Sequence, residues 1–191
     1  MSNAFQRWLI LELMRPVVLI GSLIEKIAKP FLGPRAIRAS IQRQNQFAEE
    51  IQQELPFLFN EHKGRVAADE SLRHPHPFDY AVVIVQLDDF WQRFIRGRGE
   101  LAVQVAAKGA PDGWEDLPIV LELLGGYEAK SRLILLLSDV ETMLKPRMSR
   151  VREAFSPSQY TDLKPQLLQS REYERTAARQ LSAEINRRLY G

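Results

Sequence analysis

Between Tyr80 and Ala107, a stretch rich in β-branched and aromatic residues is interrupted twice by turn residues. It predicts three consecutive antiparallel strands. The run 81–87 is dense in β-branched residues and ends at Asp88-Asp89, a two-residue turn. Gly97-Arg98-Gly99 supplies residues that tolerate positive φ, as a three-residue hairpin loop needs, between strands over 90–96 and 100–107. These turns set Leu87 against Phe90, Val85 against Gln92 and Val83 against Phe94, then Ile95 against Leu101 and Arg93 against Val103. The expected core face carries Val82, Ile84, Trp91, Ile95, Leu101, Val103 and Val105, interrupted by Gln86 and Arg93. The other face, with Val83, Val85, Leu87, Phe90 and Phe94 among polar residues, is too apolar to be left wholly to water. Arg96 and Glu100 are expected to pair across the second turn.

Helical periodicity flanks this sheet. From Phe5 to Lys29, Arg7, Arg15, Ser22, Glu25 and Lys29 share a narrow stripe at 100° per residue. That leaves a broad apolar face with Trp8, Leu9, Leu13, Val17, Ile20, Ile24 and Ile27. The segment reads as an amphipathic helix kinked at Pro16. Glu12 and Arg15 argue against a spanning helix, because each central charge costs about 2.5–3.5 kcal/mol on insertion scales. After a break at 30–34, Ile37, Ile41, Gln44, Ala48, Ile51 and Leu55 form a seam expected to pack on the N-terminal helix. Pro56 opens a turn that Gly64 stops, and 65–71 reads as the first strand of the sheet.

Beyond the three strands, Asp116 is placed to cap a short helix that buries Leu117, Val120, Leu121 and Leu124 and ends at Gly125-Gly126. Ala129, Leu133, Leu136, Leu137, Val140 and Leu144 define one amphipathic helix suited to covering a sheet face, with a break at Pro146. A final helix over about 165–189 aligns Leu167, Ala178, Leu181, Ile185 and Leu189, but Arg171 and Glu174 interrupt the stripe.

The fold class expected is α+β: a three- to four-stranded antiparallel meander packed by N-terminal and C-terminal amphipathic helices. Three segments are expected: an apolar amphipathic helix over 1–33, an α+β core over 34–144 and a basic helical extension over 145–191. A chain of 191 residues with 45% hydrophobic and 26% charged content supports one sizeable core. Net charge is only +2, but it is unevenly spread. Residues 1–54 hold seven basic against five acidic side chains, 55–144 nine against fourteen, and 145–191 ten against five.

Chemical signatures are few. With no cysteine there is neither disulfide nor thiolate chemistry, and a cytoplasmic setting, with the N-terminal helix as a route to a membrane surface, is the expectation. No phosphate loop, zinc-protease pattern or nucleophile elbow occurs, so no catalytic, cofactor or metal residue is assigned and enzyme activity is not expected. His74-Pro75-His76-Pro77 reads as a stiff connection, and Asp88-Asp89 as a solvated turn. Arg93 stands out, displayed in mid-strand between Trp91 and Ile95. The reading that follows is a non-enzymatic protein–protein interaction or self-assembly module, with Trp8, Ile20, Ile24, Trp91, Arg93 and Phe94 as contact residues. Its rival is nucleic-acid binding through the basic C-terminal helices, where stacking aromatics are sparse.

Overall fold

The β-branched run that follows Tyr80 is the second of five strands, next to the central one. The computed structural model describes residues 34–67, 80–97, 100–108, 113–125 and 136–190, and the expected contact residues Trp8, Ile20 and Ile24, like His74 and His76, lie outside them. The elements are α1 (Pro34–Glu54), α2 (Pro56–Asn60), β1 (Arg65–Val66), β2 (Ala81–Gln86), β3 (Phe90–Gly97), β4 (Glu100–Ala107) and β5 (Glu115–Asp116). They continue with α3 (Leu117–Leu123), α4 (Leu137–Leu144), a 3-10 turn at Lys145–Arg147, α5 (Met148–Ala154) and α6 (Tyr160–Tyr190). The fold is α+β, with five antiparallel strands in the order β1-β2-β3-β4-β5.

The Asp88-Asp89 turn closes as its length requires. Leu87 N–H donates to Phe90 O at 3.0 Å, and β2 and β3 pair Val85 with Gln92 and Val83 with Phe94. The next hairpin differs from expectation by one residue. Gly97 pairs with Glu100, so Phe94 faces Val103, Ile95 faces Ala102 and Arg96 faces Leu101. Gly97 belongs to the strand because the Tyr80 ring lies across it: a Cβ there would sit 2.2 Å from a ring carbon. Its glycine answers a close approach and leaves only two residues to the turn.

A slip of one residue exchanges the faces of a strand. The buried face therefore carries Ala81, Val83, Val85, Leu87, Phe90, Gln92 and Phe94 together with Leu101, Val103, Val105 and Ala107. For β2 and β3 this is the face expected to be mixed, while β4 presents the side expected of it. Val82, Ile84 and Trp91, expected in the core, lie half-buried on the outer face. The helices decide this outcome, since the buried phenylalanines among the described residues meet on one side. Phe90 tilts against Phe155 with ring centroids 5.8 Å apart, and Phe47, Phe57 and Phe155 complete the same cluster.

α1 packs on β2 and α4 through Phe47, Ile51 and Leu55, with Ser40 and Gln44 buried farther up the helix. The seam is rotated from the one expected, so Ile41 is 39% exposed. Arg96 contacts the rotated helix from the sheet. Instead of pairing with Glu100, it makes a two-pronged ion pair with Glu50, Nη2 donating to Oε1 at 2.7 Å, and its guanidinium lies 4.2 Å from the centre of the Phe47 ring.

The stop after α2 is at Lys63, which takes the left-handed conformation (φ 55°), and not at Gly64. α4 begins at Leu137. Leu136 is extended (φ −133°, ψ 152°) and exposed, so one helix does not run through it. Asp139 supplies the reason, accepting a hydrogen bond from the Leu136 N–H at 3.2 Å in its first turn. Asp116 likewise makes no cap bond to α3, having another partner described below; Gly125 ends that helix with φ +77°. Met148, Val151, Ala154, Phe155, Leu163 and Leu167 join the cluster formed by the sheet and α1. Arg152 Nε, donating to Asp89 Oδ2 at 2.9 Å, ties α5 to the first hairpin turn.

Candidate functional site

The outer face of the sheet is built by alternation. Residues that alternate with the buried ones point away from the helices, and register aligns Ile84, Arg93, Gln104 and Asp116 in one row across four strands. In that row Arg93 Nε donates to Gln104 Oε1 at 3.0 Å and Nη2 donates to the same oxygen. Gln104 Nε2 then donates to Asp116 Oδ1 at 2.8 Å. A carboxylate only accepts, so Asp116 holds the Gln104 amide with its NH2 toward β5 and its carbonyl toward Arg93. The Trp114 ring, immediately before β5, lies under the Arg93 guanidinium at 4.3 Å.

Burial pulls the Arg93 guanidinium down to about 10, with Asp116 acting in the opposite direction, so the group is charged at neutral pH. On the same face Trp91, Ile84, Val82 and Ala102 are half-buried, while Ile95, beside it along the strand, is 8% exposed and Ala106, opposite Trp91, is 0% exposed. The result is a cation held rigidly on a mixed aromatic and aliphatic surface.

A second polar group sits at the edge of the inner face. Glu115, opposite Val105, is 5% exposed and lies against Arg171 of α6, whose Nη2 also donates to the Trp114 carbonyl. Burial raises the Glu115 carboxyl above its usual range, more than Arg171 lowers it, and Asp116 adds to the rise. Burial also raises the Tyr160 hydroxyl nearby, with Glu115 adding to it. Trp114, Glu115 and Asp116 thus link both faces of the edge strand. His62, half-buried edge-on to Phe57 with ring centroids 6.2 Å apart, is held below its ordinary value by burial and then by Arg152.

Of the expected contact residues in the described part, Trp91 and Arg93 share the outer face, while Phe94 is 0% exposed on the inner one. Trp114 and Gln104 have no part in the sequence reading of the site, and Asp116 enters it only as a helix cap. The two-residue β5 is too short to show alternation, and Asp116 before an apolar run resembles a helix cap. Among the described residues no group of three or more potential metal ligands occurs, and no helix is long and apolar enough to cross a membrane. No family model matches the chain, and no curated protein and no solved structure matches it either.

Proposed function

We propose that the protein is a non-enzymatic interaction module that docks a partner protein on the outer face of its sheet. The observation that carries this reading is Arg93, stacked on Trp114 and held by Gln104 in the middle of an apolar surface that also displays Trp91. Tryptophan and arginine, desolvated together at the centre of a patch, are the residue types that dominate binding energy at protein interfaces. The sheet beneath them is braced by the core, so the side chains are pre-ordered and binding costs less side-chain entropy.

Cross-linking tests this directly. A photoreactive phenylalanine analogue at Trp91 is expected to give a discrete protein adduct in native host cells. The same group at Leu168, an exposed position on α6, is expected not to give that adduct. Absence of the Trp91 adduct, or an adduct lost on nuclease treatment, removes the reading; the latter points to the basic C-terminal helices.

A further inference from the structure

Arginine presents five N–H donors in a planar fork. Arg93 spends the Nε and Nη2 edge on one acceptor, Gln104 Oε1, so the end formed by Nη1 and the second Nη2 hydrogen carries no bond among the described residues. Other arginines of the fold are neutralised by contact: Arg96 by Glu50, Arg152 by Asp89 and Arg171 by Glu115. Among the described residues Arg93 has no such carboxylate. Asp116, whose charge acts on it, is linked to it through the Gln104 amide.

A half-buried cation without a direct counter-charge is under-compensated, and a planar oxyanion that meets the free end gains two charge-assisted hydrogen bonds at once. We propose that Arg93 receives a carboxylate presented by a protein partner, on an acidic side chain flanked by apolar residues that meet Trp91, Trp114 and Ile84. This rests on the interaction reading above. The surroundings favour a single carboxylate over a phosphate backbone. A nucleic-acid strand is held by several cations in series, whereas the row of Ile84, Arg93, Gln104 and Asp116 offers one cation and one acidic group beside apolar neighbours. Gln104 and Asp116 act as positioning residues. Asp116 orients the amide, the amide fixes one edge of the guanidinium, and the other edge is left pointing to the incoming group.

The test uses the full chain, labelled for observation of arginine Nε–H and tryptophan indole N–H resonances. It is titrated with two blocked tripeptides, acetyl-Leu-Glu-Leu-amide and acetyl-Leu-Gln-Leu-amide, and with inorganic phosphate. The glutamate peptide is expected to shift the Arg93 and Trp114 signals saturably, with the glutamine peptide at least roughly tenfold weaker, the value of about 1.4 kcal/mol in affinity. Arg93→Gln is expected to abolish the response. Arg93→Lys, which keeps the charge and loses the fork, is expected to weaken it while leaving the melting temperature near that of the wild type. Equal responses to both peptides, a response that survives in Arg93→Gln, or phosphate acting as strongly as the glutamate peptide overturns the carboxylate assignment. The cross-link at position 91 separates the two readings. If the adduct persists unchanged in Arg93→Gln, docking stands and the carboxylate anchor falls; if it is never formed, the docking reading falls with it.

Discussion

Glu115 Oε2 lies 2.7 Å from Arg171 Nε, an ion pair that joins the edge strand β5 to the long helix α6. The pair is buried enough on the carboxylate side for desolvation to outweigh attraction. A group whose folded pKa is raised binds its proton more tightly in the native state than in the unfolded one. Stability contributed by Glu115 therefore grows as pH falls through the raised folded value toward the ordinary carboxylate value of 4.5. Wild type is expected to gain stability relative to Glu115→Gln over that window, measured by denaturant unfolding at stepped pH. A constant difference between the two proteins would rule this out.

Glu50 carries the opposite sign. Its hydrogen bond to Arg96 holds the carboxyl below 4.5, so its contribution is present above that value and disappears as pH falls through the lowered folded pKa. Comparing wild type with Glu50→Gln should show the wild type losing ground below pH 4.5. Both partners are more than a third exposed, so the effect is small and shrinks in high salt. The measurement is the same pH series with and without added salt. A wild type that gains ground at low pH contradicts the assignment.

Gln92 sits in the row of Val66, Val85, Val105 and Glu115 on the inner face, is 0% exposed, and neither of its amide atoms has a hydrogen-bond partner among the described residues. An unsatisfied buried polar group costs about 1–3 kcal/mol, and methionine matches its length without the cost. Gln92→Met is expected to stabilise the fold by about 1 kcal/mol, seen as a higher melting temperature. A fall instead would mean that the amide does have a native partner.

Phe94 and Trp91 lie on opposite faces of β3, and truncating each reads out the difference. Phe94→Ala is expected to cost about 3–5 kcal/mol in unfolding free energy, as for large-to-small changes in a packed core. Trp91→Ala should cost clearly less and act on partner binding instead. Equal losses of stability would show that the outer face is packed as tightly as the inner one.

Local chemistry was enough for much of the architecture. The hairpin at Asp88-Asp89 was legible with its register, because a two-residue connection between β-branched strands leaves only one way to align them. The helix after Pro34 and the termination at Gly125 were legible for similar reasons, since a proline at a helix start and a glycine at its end act within one turn. Arg93 was recognisable because a charge in mid-strand between apolar neighbours breaks the alternation. Its neighbours were not, for Gln104 and Asp116 come from other strands and their meeting depends on register across all of them.

By itself, then, the sequence determined the three long strands and most of the helices, because these choices are made by backbone preferences within a few residues; the short edge strand and several boundaries were not among them. Tertiary structure alone decided which face of the sheet is core. A period of two is symmetric between faces, and the Tyr80 ring over Gly97 shortens the second turn by one residue, enough to carry Val103 from beside Arg93 to beside Phe94. Packing of the helices then makes the Phe94 side core and leaves Arg93 on the outside, held by an amide and an acid that arrive from β4 and β5 only when the chain has folded.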